Sequence, residues 1–142
     1  ATDSVEWLGI TKYENLAPLS ASCHIGIAIF TGQDVMNRTL GTASNKIYEY
    51  AACGVPILYF NDEYYKTSLG RFRWAIATDL TKEVLKSNLV RLLDKNDELA
   101  YAARQDFLKE FFFEKHFSDV IYELKRLQVS KTSNTPIIDG RN

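Results

Sequence analysis

Apolar residues fall in short blocks along this chain, and the blocks alternate in kind. VEWLG (5–9) and HIGIAIF (24–30) are brief apolar runs that predict buried strands, the second covered on both faces. Between them, TKYENLAPLSAS (11–22) places Tyr13, Leu16 and Leu19 at helical spacing, with Thr11 as a plausible N-cap and Pro18 keeping the helix short. TGQDVMNRTLGTA (31–43) has no clear period and reads as a long loop of the kind that often carries function. A helix over 45–53 follows. It is stopped by Gly54 and Pro56 and leads into the strand ILYF (57–60). NDEYYKTSLGRF (61–72) reads as a short helix or turn and FRWAIAT (72–78) as a further strand. The segment 80–96 puts Leu80, Val84, Leu85, Leu89, Leu92 and Leu93 on one stripe, an amphipathic helix. Helical patterns continue from Asn96 through Phe112 and then to near Gln128, the last with Phe117, Ile121, Leu124 and Leu127 on one face. Residues 129–142 are mostly polar and aperiodic and read as a tail.

Strands alternating with helices predict an α/β fold, a parallel sheet with helices on both faces. Ligands of such sheets bind beyond the carboxyl ends of the strands. The segment after HIGIAIF and the start of the 45–53 helix both fall at that edge. Length points to one domain, over 1–128, and a hydrophobic fraction of 46% is enough for a core. A net charge of −1 argues against nucleic acid or an anionic membrane as the main partner but leaves room for a local anion site. Cys23 and Cys53 sit in apolar contexts without a CxxC pair and read as buried free thiols of a cytosolic protein. His24 and His116 lack metal-ligand spacing, and Trp7 and Trp74 read as core aromatics. No apolar run approaches the ~18 residues of a membrane span, and no signal-peptide pattern is present. The chain begins without an initiator Met, which reads as a piece of something longer.

The candidate chemistry concentrates in SNKIYEYAACGVPILYF (44–60). A helix N-terminus offers N–H groups and the positive end of the helix dipole. GTASN supplies small residues, Ser44 or Asn45 a cap, and Lys46 a full positive charge. The plain alternative is an ordinary capped helix with a solvated lysine. Glu49 lies four residues after Asn45, on the same helical face. A carboxylate there repels phosphate but accepts hydrogen bonds from sugar hydroxyls, so the pair suits a nucleotide. The plain alternative for Glu49 is a surface carboxylate paired to Lys46 or Lys12.

SNKIYEYAACGVPIL strongly resembles the S-x-K-x-x-E-Y-x-A-x-G-x-P signature of retaining GT-B glycosyltransferases. The likeness extends to VEWLGITKYENLAPLSASCHIGIAIF and to the closing helices with Ala103 and Arg104, covering roughly residues 4–128. It implies the Rossmann-like C-terminal, donor-binding half of such an enzyme, in polysaccharide or glycoconjugate biosynthesis. By resemblance, Thr42, Ala43, Ser44, Asn45 and Lys46 lie at the donor diphosphate, with Lys46 catalytic. Glu49 holds the ribose, and Gly9, Ile10 and Thr11 lie near the base. The implied co-substrate is a nucleotide-diphosphate sugar of UDP or GDP type, with no other cofactor and no protein-bound metal. The implied partner is an N-terminal acceptor domain of the same chain. The implied location is cytoplasmic, or peripheral at the inner face of the membrane through that other half. Many relatives carry a sugar-contacting glutamate where this chain has Gly41, so contact with the hexose would fall to backbone groups near 40–43 or to another loop. A reading from a different class remains beside this one: a stand-alone nucleotide- or phosphate-binding regulatory module.

Overall fold

A computed structural model describes residues 4–32 and 34–132 of the chain. The chain falls into two compact units, Ala1–Phe111 and Phe112–Asn142.

The first unit is built on three parallel strands in the order β1-β2-β3: β1 Gly26–Ala28, β2 Ile57–Phe60 and β3 Ala75–Thr78. Gly26 pairs with Ile57 and Ala28 with Tyr59, while Ile57 pairs with Ala75 and Phe60 with Thr78. The central strand is sealed: Ile57, Leu58 and Tyr59 are all buried. Around the sheet run a 3-10 turn at Tyr13–Asn15, α1 Leu16–Ala21, α2 Val35–Ala43, α3 Asn45–Ala52 and α4 Glu63–Leu69. They are followed by α5 Lys82–Asp94, α6 Asn96–Asp106 and one π turn at Phe107–Phe111. The architecture is α/β with a small parallel sheet, as the alternating pattern predicts.

Side chains tie the later helices back to the strands. Trp74 is fully buried ahead of β3, its ring 5.2 Å from that of Phe72, and its Nε1–H donates to Asp106 at 3.0 Å. Asn88 of α5 donates to the Ala77 carbonyl at 3.1 Å, and Asn96 at the start of α6 donates to the His24 carbonyl at 2.7 Å. Asp62 caps α4: its carboxylate accepts from the Tyr64 N–H at 2.9 Å.

Several expectations are corrected. Residues 5–9 form no strand, because nothing among the described residues pairs with them; Val5, Trp7, Leu8 and Ile10 are exposed. Trp7, 91% exposed, is therefore no core residue, whereas Trp74 is. The 24–30 strand narrows to Gly26–Ala28 and leaves Ile27 47% exposed, so β1 is not covered on both faces. The 31–43 loop is instead α2 from Val35 onward: Asp34 caps it by accepting from the Asn37 N–H at 2.9 Å. On α5, Leu92 is buried but Leu93 lies outward, and Leu80 precedes the helix and is exposed. Both cysteines are free, yet Cys23 is exposed and Cys53 only partly buried.

The second unit contains α7, Phe113–Thr132, which runs past the end read at Gln128. Its Phe113 and Phe117 rings stack at 4.8 Å, one turn apart, and Arg126 pairs with Glu123 at 2.9 Å. Of the tail, residues 133–142 lie outside the described residues. No described helix is long and apolar enough to cross a membrane.

The burial of Trp74 sets an expectation for stability. Trp74→Ala removes a packed indole and is expected to cost about 3–5 kcal/mol in urea unfolding. Trp74→Phe keeps most of the packing, loses the bond to Asp106, and is expected to cost about 1 kcal/mol.

Candidate functional site

The candidate site forms where α2, α3 and the end of β1 meet. α2 ends at Ala43 and α3 begins at Asn45, so Ser44 alone joins the two helices. Ser44 is extended (φ −80°, ψ 113°) and buried, 4% exposed. Its N–H donates to the Leu40 carbonyl at 3.0 Å, and its own carbonyl accepts from the N–H of Ile47 at 3.1 Å and of Tyr48 at 3.4 Å. Its side chain makes no capping bond.

This joint changes the anion cradle expected over 42–46. Thr42 and Ala43 lie in the last turn of a helix, where backbone N–H groups turn to the helix's own carbonyls. The Ser44 N–H is committed in the same way. Asn45 and Lys46 remain as the exposed first turn of α3. The Lys46 ammonium sits 5.5 Å from the centroid of Phe30, the residue that leaves the sheet beyond β1. Lys46 therefore stands at the carboxyl edge of the sheet, where ligands of parallel sheets collect.

Glu49 is one turn further along α3 and exposed. Among the described residues, neither Lys46 nor Lys12 pairs with it. It lines a cleft of about 240 Å³ with Tyr13 and Glu14 of the 3-10 turn, Leu16, Ala17 and Ser20 of α1, and Ala52 and Cys53 at the end of α3. The Cys53 thiol donates to the Ala17 carbonyl at 3.6 Å and so links the end of α3 to α1. Burial pushes this thiol above its ordinary pKa, which keeps it protonated rather than a nucleophilic thiolate.

Both the seat and the end of α3 are held. The Tyr50 ring lies flat against Gly26 of β1, where a Cβ would approach ring atoms within 2.5 Å. Past Cys53 the chain turns left-handed at Gly54 (φ +70°), and the N–H of Val55 returns to Tyr50 at 2.8 Å while that of Gly54 returns to Ala51 at 3.0 Å. This is the glycine stop that the sequence predicts. Arg104 of α6 then donates to the Ala52 carbonyl at 2.5 Å, a cation at the negative end of α3.

Of the residues singled out in the sequence, Lys46 and Glu49 share the outer face of α3, three positions apart. Gly9, Ile10 and Thr11 do not line the cleft, which starts at Tyr13; Ile10 is fully exposed. Tyr13, Glu14, Ser20 and Cys53 were not foreseen as site residues. Tyr13 and Leu16 had helical spacing, which signals a packed face, and only the tertiary approach of α1 to α3 turns that face into a cleft wall. Among the described residues no group of three or more His, Cys, Asp or Glu gathers to hold a metal ion. No protein-family model, curated protein or solved structure matches the chain.

The cap that replaces the expected loop has a titration signature. The backbone N–H and then the side-chain amide of Asn37 hold the Asp34 carboxyl below its ordinary value of 3.8. A lowered folded-state pKa means the cap stabilises α2 above the unfolded value and loses that contribution as pH falls through the folded one. NMR titration is expected to place the Asp34 midpoint below 3.8, with α2 amide shifts following it. In Asp34→Asn, which caps without titrating, the α2 amides are expected not to move over that window.

Proposed function

We propose that this chain is the donor-binding part of a retaining glycosyltransferase of the GT-B type. The observation that carries the reading is the placement of the S-x-K-x-x-E-Y-x-A-x-G-x-P residues. Lys46 stands at the carboxyl edge of the sheet, Glu49 faces a cleft one turn in, and Gly54 ends the helix in a left-handed turn. In this reading the first unit is a Rossmann-like half-domain, and a longer chain supplies the acceptor-binding half.

The chemistry follows from charge. In transfer, the bond between the anomeric carbon and the diphosphate oxygen breaks, and a bond from that carbon to an acceptor hydroxyl forms on the same face. Negative charge accumulates on the departing diphosphate. The free end of α3 at Asn45 and Lys46 stabilises that charge, and does so more strongly as it develops. Glu49 accepts hydrogen bonds from the ribose hydroxyls and fixes the nucleotide relative to Lys46. With Thr42, Ala43 and Ser44 tied into the α2–α3 joint, the anion site reduces to Asn45 and Lys46. The group that takes the acceptor proton belongs to the other half, so this chain alone is expected to bind nucleotide and transfer no sugar.

Calorimetry of the 142-residue chain with UDP and GDP tests the reading. Glu49→Gln is expected to weaken binding about 10–100-fold, the weight of hydrogen bonds to a charged group. Lys46→Ala is expected to weaken the diphosphates more than the free nucleosides. Absence of binding by the unaltered chain, or binding indifferent to Glu49→Gln, would sink the ribose assignment and the transferase reading with it.

A further inference from the structure

The cleft beside Glu49 has a chemistry distinct from that of the Lys46 edge. Its floor and walls are aliphatic, from Leu16, Ala17 and Ala52. Its other lining residues are Tyr13, Glu14, Ser20, Glu49 and Cys53; among the described residues no Lys, Arg or His lines it, and Arg104 reaches its edge at the Ala52 carbonyl. Burial keeps the thiol protonated, and its hydrogen is directed to Ala17. A phosphate entering here would meet Glu14 and Glu49 and no lining cation, while Arg104 at the edge is already engaged by the Ala52 carbonyl. The group this cleft accepts is therefore uncharged and rich in hydrogen-bond donors, with a flat apolar body to cover the aliphatic walls. At about 240 Å³ the cleft is smaller than the roughly 300 Å³ at which pockets for whole drug-sized ligands begin, so it takes a part of a nucleotide rather than all of it.

If the nucleotide reading holds, that part is the nucleoside, and Glu49 accounts for the ribose. A second acidic lining residue then remains, Glu14 of the 3-10 turn ahead of α1. We infer that Glu14 reads the base and selects guanine. An ionised carboxylate is acceptor-only, with two oxygens side by side. Guanine presents N1–H and N2–H adjacent on its Watson–Crick edge, so both oxygens are satisfied in one bidentate contact. Uracil presents a single N–H flanked by two carbonyl oxygens, which the carboxylate repels. Adenine presents an amino group beside a ring nitrogen acceptor, so one oxygen finds no donor. Tyr13, 81% exposed at the rim beside Glu14, offers a ring face on which any base stacks, so it adds affinity without choosing the base. The donor named by this chemistry is a guanosine-diphosphate sugar.

The inference rests on the nucleotide reading, and one set of titrations separates the two. The unaltered chain is expected to bind GDP about tenfold or more tighter than UDP or ADP, the discrimination of a good bidentate base contact. Glu14→Gln, which keeps the side-chain size but puts a donor where an acceptor stood, is expected to erase the GDP-to-UDP ratio, GDP weakening as its bidentate contact is lost and UDP tightening as the repulsion is lifted. Glu49→Gln is expected to weaken all three nucleotides alike and to preserve their ratio. A Glu14 that served only as a charge near the start of a helix would move the melting temperature and not the GDP-to-UDP ratio. Binding with equal affinity for GDP and UDP, or a guanine preference that survives Glu14→Gln, overturns the role of Glu14 and leaves the nucleotide reading standing. Absence of binding to all three overturns both.

Discussion

The docking of α3 on β1 is the contact on which the site depends. It requires a glycine at position 26, because the Tyr50 ring occupies the space of a side chain there. It is secured at the far end by the turn through Gly54 and by Arg104 on the Ala52 carbonyl. With the helix held at its seat and its end, the direction of its outer face is settled. Lys46 then falls beside Phe30 at the sheet edge, and Glu49 falls over the cleft. Among the described residues neither side chain is held by a hydrogen bond or an ion pair; both inherit their places from the packing of Tyr50, Ile47 and Ala51 beneath them.

The joint at Ser44 adds a constraint that bears on how anions are held here. Two helices meeting through one residue share their termini, so the N–H groups just before α3 serve α2 and are withdrawn from any ligand. A glycine-rich loop in the same place would leave them free. The electrostatic part of the site therefore leans on a side-chain charge, and side-chain charges are screened by salt more readily than a buried array of amides.

The segment from Ser44 to Phe60 was legible because local signals agreed: a helical period, a left-handed glycine, a proline after it, and a β-branched or aromatic run leading into the sheet. The misreadings came where local pattern and tertiary context part. Residues 5–9 carry strand-like composition, but a strand exists only by pairing, and no described strand pairs with them. Residues 31–43 looked aperiodic because Gly32 and Gly41 dilute the pattern, yet Asp34 three residues ahead of Asn37 is a cap signal that marks the start of α2. The cleft was the least legible feature. Glu14 and Glu49 are far apart in the chain, and their meeting depends on α1 lying against α3, which a single sequence does not display.

The contrast between the two tryptophans has a practical optical meaning. Trp7 is almost wholly in water and Trp74 wholly out of it, and the chain has no other indole. Emission from the first belongs at long wavelength and is open to collisional quenching by iodide; emission from the second belongs at short wavelength and is shielded from it. Difference spectra with and without quencher thus isolate two independent probes in one unlabelled molecule. One reports on the integrity of the β3–α6 core, the other on the segment leading to the cleft.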